Sequence, residues 1–147
     1  MALSKIQSES INLADDFAGM HFGGTGSANQ FDDYEEGTWT GSVSVGGGTV
    51  SIAEEAYTKI GNIVHVMFTV NFSSASGTFS VLGLPFTATT WAVGIGREDA
   101  SNGYAVYGRV SQSASQVDIY YAGATANATP FQVASGNMRF SLTYQTS

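Results

Sequence analysis

There is no cysteine among the 147 residues. That absence removes disulfides, thiolate metal ligands and thiol nucleophiles together. Stability must then come from buried apolar surface and from association. Positive charge is nearly as scarce, with five Lys and Arg against twelve Asp and Glu and a formal net charge of −7. No nucleic-acid partner is expected, because neutralising phosphates needs clustered cations. Charged residues of both signs make up only 12% of the chain, about half of the roughly 25% usual in soluble domains. The exposed surface must therefore be built from Ser, Thr, Asn, Gln and Gly, which suits neutral hydrogen-bonding partners or packing between copies. Long apolar runs are missing as well. No stretch approaches the roughly 20 apolar residues of a membrane helix, and residues 1–10 have no signal-peptide core. Neither a membrane partner nor secretory export is expected.

Glycine (18 residues) and aromatics (12%) are what the chain does hold, with only two prolines. With abundant Ser and Thr, that composition favours strands over helices. The length suits one domain with an extension. Charge locates the division. Residues 1–36 carry seven acids (Glu9, Asp15, Asp16, Asp32, Asp33, Glu35, Glu36) against Lys5, a net of −6, whereas residues 37–147 carry five acids and four bases, a net of −1. An extended acidic arm over 1–36 and a nearly neutral body over 37–147 are expected. Short apolar islands in the arm, Ile6, Ile11, Leu13, Phe17, Met20 and Phe22, are candidate anchors onto a partner surface. Gly23-Gly24-Thr25-Gly26-Ser27 after them favours a flexible joint.

From Trp39 onward the hydrophobic period is two. The clearest strand is Ile63–Phe72, where Val64, Val66, Phe68, Val70 and Phe72 share one face. Its other face holds Ile63, His65, Met67, Thr69 and Asn71 and is only partly polar, which predicts a sheet at least partly covered on both sides. Met138–Tyr144 alternates as cleanly. Further strands are predicted near 39–45, 50–57, 79–82, 91–95, 104–110 and 116–121. Gly46-Gly47-Gly48 and Asn102-Gly103 supply turn chemistry. About eight short antiparallel strands predict an all-β fold, an antiparallel β-sandwich with Trp39, Val64, Val66, Phe68, Val70, Val106, Val117, Ile119, Phe140 and Leu142 as its core. Its expected topology is jelly-roll-like, with a small barrel as the alternative.

Catalytic constellations are thin. Asp32, Asp33, Glu35 and Glu36 crowd four carboxylates into one short segment. Glycosidase acids must face each other across a cleft of about 5–9.5 Å, and calcium loops alternate ligands around a sharp Gly turn, so a solvated acidic linker is the simpler account. His21 and His65 are the only histidines and lack metal-site spacing. His65 and Met67 sit mid-strand on the mixed face, as packing or interface residues. Tyr104, Tyr107, Tyr120 and Tyr121 offer apolar rings with hydrogen-bonding tips, which suit an interface between copies, rim packing or receptor contact.

Three stretches carry a resemblance: Phe31-Asp-Asp-Tyr-Glu-Glu-Gly-Thr-Trp-Thr40, Tyr57-Thr-Lys-Ile-Gly-Asn-Ile-Val-His-Val66 and Gly83-Leu-Pro-Phe-Thr87. In this order and spacing they resemble the C-terminal domain of tail-fibre-like virion structural proteins of bacteriophages, of the marine and cyanobacterial type. The likeness covers roughly residues 20–90 well and the rest loosely, and Gly41 stands where the pattern has proline. It implies a non-enzymatic virion protein without a cofactor, made in the host cytoplasm and placed on the particle surface. It further implies a homotrimer, held to other virion proteins by its arm and contacting host surface glycans. A capsid-decorating or cement protein on the phage head is the alternative, and a polysaccharide-degrading enzyme a more distant one. Physically, Glu35, Glu36 and Gly37 are expected to interrupt regular structure before Trp39. Lys59 is expected to be exposed, and Phe86 to fold back onto the core rim after the Gly83-Leu84-Pro85 stop.

Overall fold

The computed structural model describes residues 33–77, 79–99, 103–121 and 131–147, with the backbone alone at 20–21, 30–31 and 131–134. Two units separate, Met1–Tyr34 and Glu35–Ser147. In the first, β1 (Met20–His21) pairs antiparallel with β2 (Gln30–Phe31). The arm positions Ile6, Ile11, Leu13, Phe17 and Phe22 lie outside the described residues, as does the side chain of Met20.

Nine strands build the second sheet: β3 (Tyr34–Thr38), β4 (Ser42–Ser44), β5 (Gly47–Ile60), β6 (Ile63–Gly77), β7 (Phe79–Leu82), β8 (Ala92–Glu98), β9 (Ala105–Val110), β10 (Gln116–Tyr121) and β11 (Phe131–Gln145). Their spatial order is β3-β5-β6-β11-β8-β9-β10-β7-β4, and the registered pairs are antiparallel. The fold is therefore all-β, as predicted, but the eight-strand jelly-roll-like sandwich is replaced by one nine-stranded sheet curled on itself. The physical reason lies in strand length. β5, β6 and β11 run for 14, 15 and 15 residues, long enough to bend round the core as single strands where a sandwich would break them between two layers.

The connectivity requires the curl. β3 and β4 lie at opposite ends of the order, yet only residues 39–41 separate them. Four Cα steps from Thr38 to Ser42 reach at most about 14 Å, so the two edges must come together. Trp39 fills this crossing. It is buried, with its ring edge-on to Phe68 at 6.0 Å. The Gly41 N–H donates to Glu55 Oε1 on β5 at 3.4 Å, fastening the crossing from the other side.

One face of every long strand points into the curl. Val64, Val66, Phe68, Val70 and Phe72 of β6 are buried with Met138, Phe140, Leu142 and Tyr144 of β11, and with Val106, Val110, Val117 and Ile119. All ten core residues predicted from periodicity belong to this cluster. Phe68 stacks on Phe140 at 5.2 Å. Two inner positions in the middle of β8 are glycines. A Cβ at Gly94 would stand 2.6 Å from the Ser141 carbonyl oxygen, and one at Gly96 2.4 Å from that of Arg139. Phe140 and Leu142 occupy the space instead, which lets the sheet bend tightly there.

Two local expectations are corrected. Glu35, Glu36 and Gly37 form the middle of strand β3 rather than interrupting regular structure. Lys59 is 6% exposed rather than solvated, with Nζ 5.7 Å from the Phe86 ring centroid. Its long stem lies along apolar surface, as amphipathic side chains can. The second face of β6 is covered only in part, as expected: Thr69 is buried against Glu54, whereas Met67 is 52% exposed. Phe86 does pack against the core rim as expected, edge-on to Tyr57 at 5.5 Å.

Candidate functional site

Antiparallel register converts the sequence into rows running across the outer face of the sheet. The central row reads Ala56, Met67, Ser141, Ile95, Tyr107, Tyr120 from β5 through β6, β11, β8 and β9 to β10. On one side lies Thr69, Arg139, Arg97, Ala105. On the other lie His65 with Thr143, and Val93 with Arg109, Asp118 and Ser80. Side chains in such rows are neighbours and can interact directly.

The apolar members are conspicuously open to solvent. Trp91, Val93 and Ile95 are 62%, 66% and 75% exposed. They alternate along the lead-in and body of β8, so they share its outer face. Gly94 and Gly96, between and beyond them, take the inner positions. This strand therefore turns its large residues outward and its glycines inward, the reverse of an ordinary half-buried strand.

Charge flanks the apolar row and is already paired. Arg139 Nη1 donates to Asp99 Oδ2 at 2.6 Å, and Arg97 Nε lies 3.6 Å from Asp99 Oδ1. Thr69 Oγ1 donates to Glu54 Oε2 at 2.6 Å. Glu54 occupies a register shift in β5 with φ of +57°, and this bulge aims its carboxylate along the row. A shallow depression lies between Glu54, Met67, Thr69 and Arg139. Arg109 is held more elaborately. Its guanidinium sits 5.6 Å from the Trp91 ring centroid and 5.1 Å from that of Tyr120. Nη2 donates to the Tyr120 hydroxyl at 2.8 Å and lies 3.7 Å from Asp118 Oδ2. Cation–π contacts of this kind fix the orientation of an otherwise mobile indole.

The tyrosines predicted as contact residues separate into two pairs. Tyr107 and Tyr120 stack at 5.2 Å on the outer face beside Arg109. Tyr104 and Tyr121 meet edge-on at 5.5 Å, where Tyr121 approaches the buried Glu98. Burial first, then the Glu98 carboxylate and Tyr104, pushes the Tyr121 phenol up to about 12. Glu98 Oε2 accepts the Gly103 N–H at 3.0 Å, which ties the end of β8 to the start of β9. His65 lies with Met67 on the outer face of β6, its ring nitrogens 3.0 Å from Thr143 Oγ1 and 3.4 Å from Ser141 Oγ.

At the acidic junction, the Tyr57 hydroxyl donates to Glu35 Oε1. Asp32 lies outside the described residues. Gly37 rests against the same Tyr57 ring, with a Cβ there only 3.2 Å from it. Tyr57 in turn meets Phe86, and a Cβ on Gly83 would lie 3.3 Å from the Thr40 carbonyl oxygen. The three stretches that carried the resemblance thus converge on one structural seam where the sheet closes. Trp91, Val93, Ile95 and Arg109 were not singled out from the sequence. The signal was present as Trp-Ala-Val-Gly-Ile-Gly-Arg, a strand whose alternate positions are too small to be its core face.

No family model matches the sequence, and a search of curated proteins finds no match. In fold, the chain is similar to the crystal structure of the Dettilon tailspike protein, with a TM-score of 0.57 at 17% identity. The superposition covers 76% of this chain and 23% of the tailspike chain, so the likeness concerns a part of that larger protein. The curled antiparallel sheet is thus an architecture found within a phage tailspike.

Proposed function

We propose that this chain is a tail-associated structural protein of a bacteriophage particle, non-catalytic and assembled as a homotrimer. In this proposal the acidic arm anchors it to other virion proteins, and aromatic groups of the body contact host surface glycans. The single observation that carries the reading is the fold shared with part of a tailspike. Two features support it. The closing seam is built from the same three stretches that resemble tail-fibre-like proteins. The outer face offers a ring platform, Trp91 with Tyr107 and Tyr120, beside the donors and acceptors of Arg109 and Asp118, and flat rings with polar neighbours suit sugar faces. A structural rather than catalytic role is favoured by the placement of the acids: Glu35 is engaged by Tyr57, and Asp118 accepts from Ser80 at 2.8 Å and from Gln116 at 3.0 Å.

Cryo-electron microscopy of particles carrying a labelled chain tests the location. Density on the tail is expected, and density on the head lattice would replace this proposal with the capsid-decorating one. Deleting residues 1–30 should abolish incorporation, and undiminished incorporation would remove the anchoring role of the arm.

A further inference from the structure

We infer that the outer-face row centred on Ile95 is the surface through which copies of this chain associate. This rests on the self-association proposed above and adds its location: Met67 of β6 with Val93 and Ile95 of β8, bordered by Tyr107 of β9, while the Trp91 and Tyr120 rings beside Arg109 lie outside it and stay open to sugar.

The physical case begins with what the face lacks. An antiparallel sheet with one solvated face alternates apolar inward and polar outward, and β6, β9 and β11 largely obey. The stretch 91–96 does not, because its inner positions are Ala92, Gly94 and Gly96 and its outer ones are Trp91, Val93 and Ile95. Glycine at 94 and 96 is demanded by the Phe140 and Leu142 packing, but nothing inside the curl demands large apolar groups at 93 and 95. Polar residues would serve a solvated strand equally well. Their hydrophobicity is therefore directed outward. A glycan would use Trp91 and the stacked tyrosines but has no use for the aliphatic ends of Val93, Ile95 and Met67.

Charge identifies the occupant as a second copy. Copies of a chain with net charge −7 repel one another, so they must meet where that charge is absent. All three arginines of the chain, Arg97, Arg109 and Arg139, border this row, and so do Glu54, Asp99 and Asp118. The face is therefore neutral while both flanks carry both signs. A neutral row with both signs on each flank lets three copies turn the same face towards a common threefold axis without massing like charges. Tyrosine and arginine, here Tyr107 and the arginines that border the row, are also among the residues that most often anchor protein interfaces. Four strands, β6, β11, β8 and β9, at about 4.8 Å each and six residues along β8 at about 3.3 Å give a footprint of roughly 400 Å² in projection. Two such faces make about 800 Å² in projection, below the roughly 1,200–2,000 Å² of a stable specific contact. That size corresponds to assembly that responds to concentration.

Sedimentation velocity of the full chain across the micromolar range, with Ile95→Lys, Val93→Lys and the control Ile60→Lys, tests this. Ile60 is also exposed, but at the β5–β6 turn. The parent and Ile60→Lys should assemble together, while Ile95→Lys and Val93→Lys should each weaken assembly at least about tenfold. Unchanged circular dichroism and thermal melts would show that these exposed substitutions leave the fold intact. If the parent assembles and the β8 variants assemble equally well, the location is wrong although self-association stands. A parent that stays monomeric throughout overturns both, and loss of glycan retention by an Ile95→Lys variant that assembles like the parent would reassign the face to sugar.

Discussion

Single side chains inside the curl are held in environments that change their chemistry. Tyr144 is buried at the end of β11, and its hydroxyl accepts the Phe86 N–H at 3.3 Å. Burial pushes its phenol up to about 12, and the Phe86 hydrogen bond pulls the other way. Tyr121 is raised to a similar value, and Tyr57 is raised chiefly by its hydrogen bond to Glu35. A phenol whose folded pKa exceeds its ordinary value of 10.0 holds its proton more tightly in the native state. Its stabilising contribution is complete below the ordinary value and is lost as pH rises towards the raised one. Urea midpoints should therefore stay level on the alkaline side until about pH 10 and then fall towards pH 12. Tyr144→Phe should blunt that fall. It should also cost about 1 kcal/mol at neutral pH, because the Phe86 N–H loses its acceptor. An undiminished alkaline fall in this variant would show that other groups govern it.

At the scale of elements, the crossing between β3 and β4 decides whether the sheet closes. Trp39→Ala should cost about 3–5 kcal/mol, the range for emptying a large aromatic site. Because the lost packing lies at the seam, hydrogen exchange should accelerate in β3 and β4 before it does in β6 or β11. Uniform loss of protection would instead make Trp39 an ordinary core residue. This scale also shows what periodicity can reveal. β7 and β10 fall where alternation placed them, and β6 and β11 extend the predicted strands, because one face of each is apolar and buried. β3 was hidden because Glu35, Glu36 and Gly37 have poor strand propensity and no buried face. That strand exists through its backbone pairing and its contacts with Tyr57. Lys59 was misjudged because charge alone does not reveal a stem lying along Phe86. The sandwich expectation failed for a different reason: alternation marks which residues face inward but not whether the inward faces belong to one bent sheet or two flat ones. At the candidate site, Met67, Tyr107 and Tyr120 were legible as semi-polar residues in good strands. Trp91, Val93 and Ile95 became informative only once the glycines beside them were placed inside.

Over the whole molecule, the acidic balance and the neutral outer face make opposing contributions to assembly. Repulsion between chains of net charge −7 acts over about 30 Å at 0.01 M salt but only about 8 Å at 0.15 M. Contact across an apolar row is little weakened by salt. Self-association should therefore strengthen when ionic strength is raised from low to physiological values, as read by sedimentation at fixed protein concentration. Weakening with salt would mean that the arginines and acids at the flanks drive assembly and the Ile95 row does not.

The position of β11 has a consequence for how the chain is made. It pairs with β6 along nearly its whole length and with β8 on its other side, so it is the keystone between β3-β5-β6 and β8-β9-β10-β7-β4. Yet it comes after the other eight strands of this sheet in chain order. Until residues 131–145 emerge, β6 is paired on its β5 side alone and each half of the sheet presents an unpaired strand edge. Closure of this sheet therefore waits for β11, and a premature stop before it leaves two open ribbons rather than a shortened domain.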